Sequence, residues 1–292
     1  MPLTGQAKTD YQREYMHKRR SNTNESRRMR NFHIDFSVKQ SKAYDYWMQN
    51  DIALELLYGG AKYGGKSYGG CLLVYLEAVR LAKEHVKKRP AYPIPVGFMG
   101  RKVGKDFYDT TFESWKKAIP GDCYRLKGQP VEIIIEERVK ILTGGLDNRE
   151  TVNKFNSAEL AFYFLDQAEE TLKDDISLLR TATFWRLSLG GVKIPGKGLL
   201  TANPAQCWLK QEFIDTTEVP EHLPQTVGMP DVRHFVNNGM LENPYGVEEY
   251  RKLLRELAVS IPRLKYLVTG KWEDYKRATS LKFSLTQKSR SL

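Results

Sequence analysis

The sequence predicts an α/β fold, a largely parallel central sheet flanked by helices, on three observations. Short apolar runs of strand length alternate with stretches of helical periodicity. One run, LAFYFL (160–165), is apolar at nearly every position, as expected of a strand covered on both faces. A glycine-rich turn joins the first apolar run to the first helical stretch, the strand–turn–helix unit from which parallel sheets are built.

In chain order, ALELLY (53–58) is the first buried strand. The helix after the glycine-rich turn carries Leu72, Leu76, Val79, Ala82 and Val86 at helical spacing. Pro90, Pro93 and Pro95 end that region, because proline neither donates to nor fits a helix interior. PVGFMG (95–100) is a second strand, followed by an amphipathic helix through Phe107, Phe112, Trp115 and Ile119. VEIII (131–135) and RVKIL (138–142) alternate about Glu136-Glu137 and predict a hairpin. LAFYFL and GKGLLTA (196–202) supply further strands, and YRKLLREL (250–257) a late helix through Tyr250, Leu253, Leu254 and Leu257. No internal repeat interrupts the series.

With 292 residues, 41% hydrophobic and 28% charged, the chain is long and apolar enough for a sizeable core. No apolar run approaches the roughly 20 residues of a membrane helix. The N-terminus lacks the apolar stretch of a secretory signal. Three widely spaced cysteines (Cys71, Cys123, Cys207) suit neither a disulfide framework nor a zinc site, and the five histidines show no ligand spacing. These features predict an intracellular, reduced protein. Of the net charge of +11, residues 1–31 carry +5 and residues 271–292 carry +4. The ends therefore read as basic tails, 1–35 and 271–292, around one domain at 36–270. Such ends suit a phosphate backbone or a solvated tail.

The chemistry concentrates at Gly60-Ala61-Lys62-Tyr63-Gly64-Gly65-Lys66-Ser67, which fits G-x-x-x-x-G-K-[ST] between a strand and a helix. Glycines let successive backbone N–H groups curl about phosphate oxygens; Lys66 reaches the outer phosphates and the Ser67 hydroxyl ligates Mg²⁺. Gly60 through Ser67, with Tyr68 beside it, are thus the expected ATP contacts. Asp166 ends the run LAFYFL, where a carboxylate at the C-terminal end of a parallel strand faces the ligand crevice and supports the metal. The next residue is Gln167, which orients water but accepts a proton poorly. Read as the start of a helix, DQAEE puts Glu169 and Glu170 at i+3 and i+4, on one face with Asp166. Either can serve as the base, with Glu169 the first choice. Leu200-Thr201-Ala202-Asn203-Pro204 places a polar pair at another strand end, suited to sensing the γ-phosphate.

Together these residues resemble the ATPase domain of the large terminase subunit of tailed bacteriophages, over about Phe36 to Tyr275. FSVKQSKAYDYW resembles the family's segment in which a glutamine, here Gln40, contacts adenine. LYGGAKYGGKS and FYFLDQAEE resemble its Walker A and Walker B. LLTANP looks like its coupling motif, through Thr201 and Asn203, and LENPYGVEEYRKLLREL with LVTGKWEDY resembles the closing segment. The resemblance implies a P-loop NTPase of the ASCE type, hydrolysing ATP with Mg²⁺. It further implies a homo-oligomeric ring, a pentamer, partnering the portal protein, the small terminase subunit and double-stranded DNA. Its place is the cytoplasm of the infected bacterial host, transiently on the procapsid. Lys62 and Arg101 are candidates for the cation that neutralises the γ-phosphate in the transition state. The tail KRATSLKFSLTQKSRSL has no acidic residue, so no nuclease domain is expected from this chain. Two other readings remain: a nucleotide-binding assembly module that hydrolyses negligibly, because Gln167 replaces the usual base, and a helicase-like P-loop ATPase.

Overall fold

Apolar runs decide where the strands lie. In the computed structural model every residue of β1 (Leu54–Gly60) is buried, as is every residue of β6 (Phe162–Leu165) and β9 (Lys197–Ala202). The structure describes residues 32–87, 94–147, 152–153, 155–189, 191–215, 228–261 and 264–275. Pro90, Pro93, most of both basic tails and the end of the chain lie outside these. By its contacts the chain divides into Met1–Ile34 and Asp35–Leu292. Of the first unit only residues 32–34 are described, without helix or strand; the rest concerns the second.

The remaining strands are β2 (Val96–Arg101), β3 (Arg125–Lys127), β4 (Glu132–Ile135), β5 (Val139–Gly145), a small β7–β8 pair (Ser188–Leu189, Val192–Lys193) and β10 (Val232–Asn238). The main sheet runs β10-β1-β9-β6-β2-β5-β4-β3. The first six of these are parallel; β4 pairs antiparallel with β5, and β3 antiparallel with β4. β9 lies between β1 and β6, with Leu57 opposite Leu200 and Leu200 opposite Leu165. β9 is thus inserted between the strand that precedes the glycine-rich turn and the strand that ends at Asp166. The hairpin expected at 131–142 is β4–β5, and its turn residues Glu136 and Glu137 both have φ 53. Positive φ at both central positions gives the turn that matches strand twist.

Sequence reading missed the two edge strands. β3 is three exposed residues, and β10 mixes Arg233, His234 and two asparagines into a strand with one neighbour. Neither carries the continuous apolar pattern of a buried strand.

Helices cover both faces. α1 (Val38–Trp47) starts at a capping box between Ser37 and Gln40. α2 (Lys66–Lys87) follows the glycine-rich turn, and Gly70 lets it approach β6, because a Cβ there would lie 2.6 Å from the Phe164 ring. α3 comprises Gly104–Asp106, a π-helical turn Phe107–Thr111 and Phe112–Ala118. The Phe112 N–H donates to Phe107 O, an i→i+5 bond. On the opposite face α4 (Lys173–Thr183) and α5 (Trp208–Phe213) pack Ile176, Leu179, Leu209 and Phe213 onto Leu57, Tyr163, Leu165 and Leu200. There Tyr163 crosses β9 at Gly198 to donate to Glu55 of β1. A side chain at Gly198 would meet the Tyr163 hydroxyl at 2.5 Å.

α6 (Glu248–Ser260) and α7 (Tyr266–Thr269) follow β10, and a helical turn at 272–275 ends the described chain. Of the four apolar positions expected to bury α6, Leu254 is buried, whereas Leu253 and Leu257 are exposed. Trp272, placed in the basic tail by its sequence neighbours, is 3% exposed and sits edge-on to Phe235.

One expectation fails outright. DQAEE does not begin a helix. Gln167 takes a left-handed conformation (φ 55), Ala168–Glu170 is a single 3₁₀ turn, and α4 starts only at Lys173. Asp166, Glu169 and Glu170 therefore do not share a helix face.

Candidate functional site

The C-terminal ends of β1, β6 and β9 converge, where open α/β sheets carry their ligands. A cavity of about 360 Å³ opens there, lined by the loop 62–68, Asp166, Gln167, Thr201, Ala202, Asn203, Ser114 and Asn243. A larger cavity, about 910 Å³, lies beside β5 and the β3–β4 connection. It holds none of the phosphate-type residues, so the chemistry favours the smaller one.

The loop from β1 to α2 is bent where the sequence allows it. Gly65 has φ 76, open to glycine at no steric cost. Tyr63 has φ 66 without that freedom, and its surroundings hold it there. Its carbonyl accepts from Asn243 Nδ2 at 2.8 Å, its hydroxyl accepts from the Val247 N–H at 3.0 Å, and its ring lies 4.6 Å from that of Tyr250. From behind, Asn238 Nδ2 donates to Gly64 O, the Ala61 N–H to Asn238 O at 2.7 Å, and the Lys62 N–H to Leu267 O at 2.8 Å. α2 then points its N-terminus, with its free N–H groups, at the cavity.

Lys66 is buried. Its ammonium donates to Gly60 O at 3.2 Å, Ala61 O at 2.6 Å and Asn203 Oδ1 at 3.1 Å. Burial lowers its pKa to about 8 against the opposing pull of the Glu169 and Asp166 carboxylates. Asp166 is fixed by three hydroxyls: Ser67 at 2.9 Å and Thr201 on Oδ1, and Thr111 at 2.6 Å on Oδ2. Thr201 Oγ1 also accepts the Gln167 N–H at 3.3 Å, tying β9 to the turn after β6.

Asn203 joins the two halves of the site. Its Oδ1 accepts from Lys66, and its Nδ2 donates to Glu169 Oε1 at 2.8 Å. Glu169 Oε2 is buried with no hydrogen-bond partner among the described residues. Burial raises the Glu169 pKa to about 7, opposed by the Asn203 bonds and the Lys66 charge. A carboxyl so poised, with one oxygen held and one bare, can accept a proton near neutral pH. Glu170 is exposed and turns instead to Arg101.

The other expected residues fall as follows. Gln40 is buried behind the loop, its Oε1 accepting the Ser37 N–H at 2.9 Å and its Nε2 donating to Gly65 O at 3.2 Å. It braces the loop from outside the cavity lining. Lys62 and Tyr68 are exposed at the cavity mouth. Arg101 is buried at the end of β2 and is not among the lining residues. Thr111, Asn238 and Asn243 escaped sequence reading. The five-residue spacing of Phe107 and Phe112, which an α-helix would place on different faces, was the available sign of the π turn that delivers Thr111.

No family model matches the sequence, and no curated protein matches it. Solved structures do. The large terminase from a thermophilic bacteriophage matches with a TM-score of 0.60 at 15% identity, over 82% of this chain and 54% of that one. The same protein in complex with ADP matches with a TM-score of 0.59, and in complex with ATP-γ-S with 0.57, each at 15% identity over 82% of this chain. This chain spans about half the length of those structures. At that identity the likeness is one of fold. With its P-loop, its inserted β9 and its parallel sheet, this chain has the α/β fold of the matched half of a bacteriophage large terminase.

Proposed function

We propose that this chain is the ATPase motor subunit of a viral DNA-packaging terminase, coupling Mg²⁺-dependent ATP hydrolysis to translocation of double-stranded DNA into a capsid. The observation that carries the reading is the Lys66–Asn203–Glu169 chain, in which one amide contacts both the loop lysine and the best-placed base. A γ-phosphate competes with Asn203 for Lys66, so arrival or loss of that phosphate is felt at Glu169 and at the end of β9. Lys66 and the loop N–H groups hold phosphates. Glu169 Oε2 accepts the proton of the attacking water. Lys62, at the mouth, is the lining cation left to meet charge developing on the γ-phosphate.

Ser67 and Asp166 fit Mg²⁺: a hydroxyl and a carboxylate already 2.9 Å apart match a hard cation that draws its other ligands from phosphate and water. When bound, the ion neutralises phosphate charge and orients the leaving group. Binding should also be visible without turnover, as an Mg²⁺-dependent rise in ADP affinity that Asp166→Ala removes.

The resemblance of five motifs in order, and the fold shared with large terminase, support the wider assignment: a homo-oligomeric ring working with double-stranded DNA, a portal protein and a small terminase subunit. The test is steady-state ATP hydrolysis by the purified chain with and without double-stranded DNA, beside Lys66→Ala and Glu169→Ala. Turnover lost in both variants, and raised by DNA in the unaltered chain, is the expected result. ATP binding with turnover no better than Lys66→Ala would overturn the motor reading. It would favour a silent nucleotide-binding module, to which Gln167 also points.

A further inference from the structure

Arg101 was a candidate for the cation that meets the γ-phosphate, but its guanidinium is committed elsewhere. Nη2 meets Gln167 Oε1 and both carboxylate oxygens of Glu170, at 3.2 and 3.1 Å. Nη1 donates to Thr110 Oγ1 at 2.9 Å, one residue before the threonine that holds Asp166. The group is 6% exposed. It thus pins three separate pieces of chain: the end of β2, the π turn of α3 and the turn after β6.

The last of these pieces needs pinning. Gln167 sits at φ 55, a left-handed conformation that is strained for a non-glycine residue. Three contacts keep it there: its backbone N–H donates to Thr201, its carbonyl accepts the Glu170 N–H at 3.1 Å, and its side chain meets Arg101. That conformation turns the chain so that Glu169 reaches Asn203 while Glu170, one residue on, points to Arg101. The contact to Arg101 also occupies the amide oxygen with which Gln167 would otherwise orient water.

We infer that Arg101 is a positioning residue. By clamping Gln167 and Glu170 it holds the 167–170 turn in the strained form that lets Glu169 reach Asn203, which lines the cavity, and it takes no direct part at the phosphate. The inference rests on the ATPase reading, and the experiment separates the two. Absence of turnover in the unaltered chain defeats that reading, whereas turnover indifferent to Arg101 defeats only this one.

The measurements are ATP turnover and binding of fluorescent ADP by the full chain carrying Arg101→Ala, Gln167→Gly or both. Arg101→Ala should lower kcat tenfold or more and leave ADP affinity within about twofold. Glycine adopts φ near 55 without strain, so Gln167→Gly should restore turnover at least threefold in the Arg101→Ala background. A purely structural role would not give that rescue, and neither would a phosphate-contacting arginine. If Arg101→Ala does not accumulate as folded protein, Arg101→Lys is the substitute. One ammonium cannot span both partners, so the same pattern is expected at about a threefold loss. Unchanged turnover, loss of ADP affinity equal to the loss of kcat, or failure of Gln167→Gly to rescue would each overturn the inference.

Discussion

Two clusters of buried charge belong to one sheet, the first across β1, β6 and β10 and the second just beyond the C-terminal ends of β1, β6 and β9, and they are completed to different degrees. In the first, Glu55 of β1 accepts from Arg180 Nε at 2.9 Å and Nη2 at 2.7 Å, from Arg233 Nε at 3.1 Å and from Tyr163. Burial alone would raise its pKa, but the arginines and these bonds prevail and hold it below the usual carboxylate range. In the second, Glu169 has one oxygen on Asn203 and one bare, and burial prevails. The ingredients are the same: a carboxylate, a cation and a polar neighbour. A full set of partners makes a strut, and an unfinished set leaves a group free to exchange a proton.

That contrast predicts which substitutions stop chemistry and which stop folding. Lys66→Ala should reduce ATP turnover to background while the thermal unfolding midpoint stays within a few degrees. Turnover that survives would mean the loop does not hold phosphate. Glu169→Ala should lower kcat by about 10²–10⁴, the usual worth of a general base. Glu170→Ala should cost far less, and an equal loss in Glu170→Ala would assign the base wrongly. Arg180→Ala leaves Glu55 buried without its main partner and should cost about 3–5 kcal/mol in denaturant unfolding. If stability were untouched, the first cluster would not be a strut.

The titration differs too. Turnover should rise as pH increases through about 7, because Glu169 must lose its proton to act, and Glu169→Gln should abolish that rise along with most activity. The stability consequence has the opposite sign. A carboxyl whose pKa is raised from 4.5 to about 7 in the folded state favours folding while protonated. Its contribution is lost as pH climbs from about 4.5 to about 7. Glu169→Gln should therefore raise the unfolding midpoint at pH 8 by several degrees and leave it nearly unchanged at pH 4.

Much of this was legible in the residues. β1, α2, β6 and β9 announce themselves because burial on both faces leaves continuous apolar runs, and the loop 60–67 because phosphate binding demands glycines at set positions. The divergence of Glu169 from Glu170 was not legible. It depends on a left-handed glutamine, a conformation no local preference signals, held by an arginine sixty-six residues earlier in the chain. Thr111 was hidden for a related reason: a π turn shifts its register on the helix, and only packing of Phe107 against Phe112 hints at it. Asn238 and Asn243 belong to an edge strand and a loop, where polar residues are the rule.

The position of β1 also bears on how the protein is made. It is the first strand of the sheet to leave the ribosome, yet both its neighbours, residues 197–202 and 232–238, come from the last third of the chain. Until they emerge, LELLYGG has no partner in the sheet, and the loop 60–67 lacks Asn203, Asn238 and Leu267 to shape it. Pairing so distant in sequence is slow to form and exposes apolar edges meanwhile. The shaped loop is thus among the last features the nascent chain acquires, and a polypeptide cut short before β10 carries the whole glycine-rich motif without the fold that gives it a shape.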